Sequence, residues 1–79
     1  MQIKDAKTYF TAGLIEKIEV RPALYEKGWT VVCQLPRLGG EDIITTALGD
    51  IKIFSSLDTL VRQIEQITGR PIQSATLGV

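Results

Sequence analysis

The feature that most constrains the fold is an amphipathic stretch with a recognisable start and end. Five apolar side chains recur at spacings that place them on one stripe of a helix: Leu57, Leu60, Val61, Ile64 and Ile67. Ser55 or Ser56 can cap the first turn, and Asp58 places a carboxylate near the positive end of the helix dipole. Gly69 can adopt the left-handed conformation that ends a helix, and Pro71 cannot continue it. We therefore expect the rest of the chain to provide the surface that this helix covers.

A short helix and an edge strand are predicted at the start of the chain. Residues 4–13 favour a helix, with Tyr9 and Phe10 on a small apolar face. Apolar and polar side chains then alternate over residues 18–24, which is the period of a half-buried strand. Pro22 has no N–H to donate to a neighbouring strand, so this strand belongs at a sheet edge or carries a bulge.

Three further strands are predicted before the long helix. They cover residues 29–35, 43–48 and 51–54, joined by a turn at 25–28, a glycine-rich connection at 36–42 and a two-residue hairpin turn at Gly49-Asp50. Residues 72–79 alternate weakly and are either a fifth strand or a loosely held tail. The order α-β-β-β-β-α-(β) predicts one α+β domain over residues 1–79. We expect a small antiparallel sheet of four to five strands with the long helix packed across one face.

Composition argues against catalysis and against metal or cofactor chemistry. The chain has one cysteine, Cys33, and no histidine, so neither a zinc site nor a base to activate the thiol is available. Cys33 lies mid-strand among apolar residues, where a thiol behaves as a small hydrophobic group. Glu41 and Asp42, next to two glycines, are typical of a solvated turn rather than of an acid–base pair. We therefore predict a protein that is not an enzyme, with no catalytic residue, metal or cofactor.

Charge and hydropathy argue against two classes of partner. Nine Lys and Arg balance nine Asp and Glu, whereas a duplex-DNA binder usually has a basic excess on one face. No apolar run approaches the roughly 18 residues that a membrane-spanning helix needs. The charged start of the chain is unlike a signal peptide, and a lone cysteine is typical of a reducing compartment. We expect a cytoplasmic protein without a membrane partner.

Aromatic and basic residues nevertheless leave a nucleic-acid alternative open. Exposed rings on a sheet, with basic neighbours, bind single-stranded bases by stacking. Tyr25 and Trp29 are the aromatic candidates, although the strand pattern favours a core position for Trp29. The candidate nucleic-acid contacts are Arg21, Lys27, Arg37 and Lys52. A cluster of these cations on one face favours nucleic acid, and an even scatter favours protein partners.

The apolar content favours a homodimer. Hydrophobic residues make up 44% of a 79-residue chain, more than one helix over one sheet face is expected to cover. The run at residues 43–46 offers apolar groups to both sides of a sheet, and an unpaired edge strand is protected by pairing with its symmetry mate. The candidate interface residues are Val20, Leu24, Val32, Ile43, Thr45 and Ala47.

The segment from Gly49 to Gly69 resembles a unit found in small accessory, or plasmid-related, proteins of bacterial conjugative plasmids and integrative elements. In these proteins a strand ending in Phe leads into Ser/Thr-Leu-Asp and an amphipathic helix that closes on Gly. The start of this chain, residues 1–14, and Gly28-Trp29 are similar to theirs. The resemblance implies a bacterial origin, mobile DNA and a non-enzymatic binding or regulatory role. We therefore expect a small interaction or regulatory module, with a nucleic-acid-binding accessory factor as the alternative.

Overall fold

The structure is a computed structural model, and it describes residues 1–70. The elements follow in the order α1 (Ile3–Thr11), β1 (Lys17–Pro22), β2 (Trp29–Leu35), a 3₁₀ turn (Pro36–Leu38), β3 (Gly40–Ile43) and α2 (Leu57–Thr68). The strands form an antiparallel three-stranded sheet in the order β1-β2-β3. The chain is thus a small α+β fold with two helices, as the sequence predicts.

The core lies between the helices and one face of the sheet, called here the inner face. It is built from side chains of both helices, of β1 and β2, and of the connecting loops: Ala6, Ile15, Val20, Val31, Cys33, Leu35, Ile44, Phe54, Leu60, Ile64 and Ile67. Because side chains alternate along a strand, Val20, Val31 and Cys33 share this face, and Trp29 packs against its margin.

The long helix forms where its apolar stripe predicts it. Leu60, Ile64 and Ile67 are buried, while Leu57 at the first turn stays largely exposed. Gly69 ends the helix with φ 70°, and its N–H donates to the Glu65 carbonyl at 2.7 Å. The predicted serine cap is not formed, because Ser56 occupies the N-cap position without a side-chain hydrogen bond to the first turn.

The first strand lies at an edge of the sheet, as Pro22 requires. It ends at Pro22 rather than at Leu24, because the Ala23 N–H donates to the Gly28 carbonyl at 3.0 Å and closes the hairpin there. Gly28 then passes very close to the chain before α2. An added Cβ would lie 2.7 Å from the Phe54 carbonyl oxygen, and φ is 134°, so both space and backbone conformation require glycine.

The third strand was predicted too late in the chain. It covers Gly40–Ile43, not residues 43–48, because the 3₁₀ turn at Pro36–Leu38 reverses the chain within a few residues. Pairing with β2 therefore begins at once, with Gly40 opposite Leu35 and Ile43 opposite Val32. The last three of the seven residues in the predicted glycine-rich connection at 36–42 consequently belong to the sheet.

The predicted fourth strand at 51–54 is not a strand. Its residues form isolated bridges to two different partners, Ile51 to Thr45 and Phe54 to Trp29, so no strand among residues 1–70 runs alongside it. The turn before it also differs from the prediction, since the Gly49 N–H donates to the Thr46 carbonyl at 3.0 Å. That bond makes residues 47 and 48 the central positions of the turn. The sheet within residues 1–70 thus has three strands, not four to five, and the predicted fifth strand at 72–79 lies outside the described residues.

Candidate functional site

On its side away from β1, part of β2 bonds to residues of the loop between β3 and α2. On β2, Trp29 exchanges both of its backbone hydrogen bonds with Phe54, at 2.9 and 2.8 Å. The Val31 carbonyl likewise accepts the Ile44 N–H, at 2.8 Å. Trp29 and Val31 therefore point their backbone groups away from β1.

The β1 residues opposite them are unbonded on their outward side. Val20 lies opposite Val31 and Pro22 opposite Trp29 in the antiparallel register. Because hydrogen-bonded and non-hydrogen-bonded pairs alternate along an antiparallel ladder, Ile18 has the same orientation as Val20. Five backbone groups of β1 thus lie in the plane of the sheet and point away from β2. They are the N–H groups of Ile18 and Val20 and the carbonyls of Ile18, Val20 and Pro22. No residue within 1–70 bonds them. We call this row of groups the open edge.

At the opposite edge of the sheet, Met1 bonds the end of β3. The Met1 ammonium group donates to the Ile43 carbonyl at 2.7 Å and lies 3.4 Å from an Asp42 carboxylate oxygen. The Met1 carbonyl in turn accepts the Thr45 N–H at 2.7 Å. On β3 the outward N–H and carbonyl of Glu41 and the N–H of Ile43 stay unbonded within residues 1–70, so β1, with five unbonded groups over residues 18–22, has the longer run.

The outer face of the sheet, opposite the helices, carries a charged network. It consists of Glu19 and Arg21 on β1, Gln34 on β2 and Glu41 on β3. The Arg21 guanidinium donates to Glu41 at 2.8 and 3.1 Å and to Glu19 at 2.8 and 3.1 Å. The Gln34 amide donates to both carboxylates at 3.2 Å. We call these four side chains the outer-face network; they join all three strands.

The network stabilises the charged forms of its members. Hydrogen bonds from the Arg21 guanidinium lower the pKa of both Glu19 and Glu41 below the ordinary glutamate value. The carboxylates in turn raise the pKa of Arg21 above its usual range, with the hydrogen bond to Glu41 as the largest cause. Arg21 is therefore permanently charged and already matched by two carboxylates, which disfavours it as a phosphate contact.

The network also passes over Val32, one of the residues predicted for a dimer interface. Val32 lies at the centre of this face, opposite Glu19 on one side and Ile43 on the other, and no helix covers it. It is nevertheless only 3% exposed. Because Arg21 reaches from β1 to Glu41 on β3, the network spans β2 above Val32, and the long side chains exclude water from it.

The other residues predicted for a dimer interface are divided between core and surface. Val20 is a core residue whose side chain points to the inner face, although its backbone belongs to the open edge. Ile43 and Thr45 are half-buried, at or just after the end of β3. Leu24 and Ala47 are exposed in the two loops that follow β1 and β3. These positions do not form one apolar surface.

Exposed apolar side chains concentrate at one end of the sheet. β1 ends and β2 begins there, and β3, which is antiparallel to β2, also ends there. The loops at this end carry Leu24, Tyr25 and Leu48, which are 88%, 96% and 90% exposed, and Ile51 is also exposed. We call this region the hairpin end.

The basic residues predicted to contact nucleic acid do not share one surface. Lys27 and Lys52 both lie at the hairpin end, since they precede Gly28 and Ile53, which are in contact. The Lys52 Nζ lies 5.4 Å from the centre of the Phe54 ring. Arg37 is in the 3₁₀ turn at the other end of the sheet, and Arg21 is in the outer-face network.

Cys33 is placed where the sequence predicts it, inside the core. It is fully buried, and this burial raises the pKa of its thiol to about 11. Within residues 1–70, no three or more His, Cys, Asp or Glu side chains are grouped so that they might hold a metal ion. None of the helices described is long and apolar enough to cross a bilayer.

Sequence reasoning missed the partners of Arg21 in the outer-face network. Glu41 was assigned to a loop, so its position on β3 opposite Gln34 was not anticipated. One pattern does point toward the network: Lys17, Glu19 and Arg21 alternate in sign along one face of β1. That alternation is typical of side chains that pair with each other rather than with a ligand.

Comparisons with protein-family models, with curated proteins and with solved structures gave no match for this chain. The resemblance to accessory proteins of mobile elements is therefore neither supported nor contradicted by them.

Proposed function

We propose that this protein is a small non-enzymatic interaction module that acts as a homodimer, and that the open edge of β1 forms the contact between its subunits. The observation that carries the proposal is the row of unbonded backbone groups at Ile18, Val20 and Pro22. An unpaired strand edge is a template on which another strand adds by backbone hydrogen bonds. A second copy of the same chain supplies such a strand, and pairing about a two-fold axis satisfies both edges at once.

The size of the contact sets the concentration at which it should be sought. β1 has six residues, so pairing of this strand alone buries less than the roughly 1,200–2,000 Å² of a typical stable interface. We therefore expect a monomer–dimer equilibrium at micromolar to submillimolar concentration. Backbone hydrogen bonds carry it, and exposed ion pairs contribute about 0–1 kcal/mol each, so the dissociation constant should depend little on salt.

Sedimentation equilibrium over this concentration range, at low and high salt, tests the proposal. Ile18→Pro removes an outward N–H and places a ring on the open edge, while Ile18→Ala trims the same side chain and keeps the N–H. Two bonds are lost per dimer at about 0.5–1.5 kcal/mol each, so Ile18→Pro should weaken association by roughly tenfold or more. Ile18→Ala should stay close to wild type. A wild-type chain that stays monomeric under every condition contradicts the proposal. Equal dissociation constants for Ile18→Pro and Ile18→Ala contradict it as well.

A nucleic-acid-binding accessory factor is the second candidate, and the hairpin end favours it. Tyr25 is almost fully exposed there, two residues before Lys27. An exposed ring with basic neighbours is suited to stack an unpaired base. Fluorescence anisotropy with a labelled single-stranded oligonucleotide tests this. Binding should weaken steeply with salt and fall about 5- to 100-fold in Tyr25→Ala, with Tyr9→Ala as the aromatic control.

The cellular setting is proposed from the sequence. The lone, buried Cys33 suits a reducing compartment, which supports the cytoplasm of a bacterium. The resemblance at Gly49–Gly69 adds an origin on a conjugative plasmid or integrative element. Fractionation of cells that express a tagged chain tests the compartment, and enrichment in the periplasm or membrane contradicts it.

A further inference from the structure

We propose that two copies pair antiparallel through β1 in one register, with Val20 on the two-fold axis and Glu19 of each subunit opposite Arg21 of the partner subunit. This inference rests on the proposed function, because it specifies the geometry of the homodimer. Pairing in this way joins two three-stranded sheets into one continuous sheet. Both subunits then keep their helices on the same side of it, because a two-fold axis between antiparallel strands is perpendicular to the sheet.

The backbone allows few registers. Outward-pointing groups belong to Ile18, Val20 and Pro22, so only registers that place these residues opposite one another form hydrogen bonds. With Val20 on the axis, each Val20 N–H donates to the carbonyl of the partner's Val20. Each Ile18 N–H meets the carbonyl of the partner's Pro22. The missing N–H of Pro22 leaves a single carbonyl, that of Ile18, without a bond in each subunit.

The side chains of the inner face fit this register. Residues directly opposite each other in an antiparallel pair point to the same face of the sheet. Val20 therefore lies beside the partner's Val20, and Ile18 beside the partner's Pro22. The result is an unbroken apolar row that extends the core of each subunit, since Val20 is a core residue and Ile18 packs against the core.

The outer face selects this register over its neighbours by charge. Glu19 lies opposite the partner's Arg21, and the arrangement repeats by symmetry. The Arg21 Nη1 has a second N–H that no described residue accepts, so it can extend the outer-face network across the interface. Opposite charges directly across a strand pair are stabilising, and like charges are destabilising.

The alternative registers each have a defect. With Glu19 on the axis, Glu19 lies opposite the partner's Glu19, and Lys17 lies opposite the partner's Arg21. With Arg21 on the axis, two guanidinium groups oppose each other. With Ile18 on the axis, Val20 lies opposite the partner's Glu16, and the backbone groups of Glu16 must point outward to bond it. The Glu16 N–H instead donates to the Gln34 carbonyl at 2.9 Å, toward β2.

Disulfide trapping distinguishes these registers. Glu19→Cys and Arg21→Cys place thiols on the outer face at the ends of the proposed cross-subunit pair. Opposite residues of a non-hydrogen-bonded pair have Cα atoms about 4.5 Å apart, within the disulfide range. Each single variant is oxidised alone and in an equimolar mixture, with Arg62→Cys on the exposed face of α2 as the collision control. Buried Cys33 stays in place.

The proposal predicts rapid cross-linking in the mixture, at least tenfold faster than in either single variant. Rapid cross-linking of Glu19→Cys alone assigns Glu19 to the axis, and rapid cross-linking of Arg21→Cys alone assigns Arg21, so either result overturns the register while leaving the homodimer intact. Sedimentation dimers that trap no faster than the Arg62→Cys control indicate a dimer that uses another surface. A wild-type monomer at every concentration overturns the proposed function as well.

Discussion

Arg21 shows how one side chain can hold a sheet face together. It contacts carboxylates on β1 and β3, and the network that it forms covers Val32 on β2. Because Glu19 and Glu41 have lowered pKa values in the folded chain, their contribution to stability is present above the unfolded glutamate pKa of about 4.3. It is lost as the pH falls further and the carboxylates are protonated.

We therefore expect the urea concentration at the unfolding midpoint of the wild-type chain to decrease as the pH is lowered from about 5 to about 3. Arg21→Gln removes the cation, so the glutamate pKa values return toward normal and the midpoint should fall less over the same interval. Arg37→Gln, in the exposed 3₁₀ turn, is the matched control and should retain the wild-type slope. Equal slopes for the two variants would show that the network does not stabilise the fold.

Gly28 is a second residue on which the fold depends. An Ala there has both a left-handed backbone conformation and a Cβ 2.7 Å from the Phe54 carbonyl oxygen. Gly13 also has positive φ, but nothing lies near its Cβ position. We expect Gly13→Ala to cost about 1–2 kcal/mol and Gly28→Ala clearly more in denaturant unfolding. Similar losses would mean that the contact with Phe54 relaxes easily.

Cys33 should be chemically inert in the folded protein. A thiol with a raised pKa of about 11 and no solvent access is scarcely ionised at neutral pH, and the thiolate is the reactive species. Labelling with an aromatic disulfide reagent should be slow in buffer and fast in denaturant. Cys33→Ala carrying Ala47→Cys, which places the thiol on an exposed loop, should label quickly in both. Fast native labelling of the wild type would contradict the burial.

At the scale of single elements, α2 supplies the largest share of helical core contacts. Leu60 and Ile64 are buried, whereas Arg62 is exposed. Leu60→Ala should cost about 2–5 kcal/mol in urea unfolding, because it removes apolar contacts and leaves a cavity. Arg62→Ala should change the free energy of unfolding by no more than about 0.5 kcal/mol. Equal tolerance of both changes would be incompatible with the packing described.

The elements also show what the sequence can and cannot predict. The helix at Leu57–Thr68, its end at Gly69 and the edge position forced by Pro22 were predicted, because each depends on residues close together in the chain. The third strand was misplaced, because its pairing with β2 is set by the 3₁₀ turn rather than by β propensity. Residues 51–54 have strand-like composition, but their bridges lead to partners distant in sequence.

The candidate site divides in the same way. The edge strand was anticipated from Pro22 and contains Val20, whereas Leu24, predicted to belong to the same strand, lies in the loop that follows it. The backbone groups that stay unbonded were not anticipated, because they depend on which β2 residues form hydrogen bonds with Phe54 and Ile44. Residue spacing alone does not contain that choice.

At the scale of the whole molecule, the proposed dimer should change the rate of amide hydrogen exchange. The Ile18 and Val20 N–H groups have no partner among residues 1–70, while those of Glu19 and Arg21 point toward β2. Hydrogen exchange measured by NMR should therefore slow at Ile18 and Val20 as protein concentration rises. Glu19 and Arg21 serve as internal controls and should be protected throughout. Exchange at Ile18 and Val20 that is independent of concentration would speak against pairing at this edge.

The hairpin end acquires a new property once the subunits pair. Antiparallel strands place the two copies of Leu24, Tyr25 and Leu48 at opposite ends of the joined sheet, facing away from each other. The proposed dimer would then be bivalent. A target that displays its own docking surface twice, as a filament or a repeated array does, would be held by avidity. The apparent affinity of the dimer for such a target would exceed the affinity of a single hairpin end by about 10²–10⁴-fold without any additional contact.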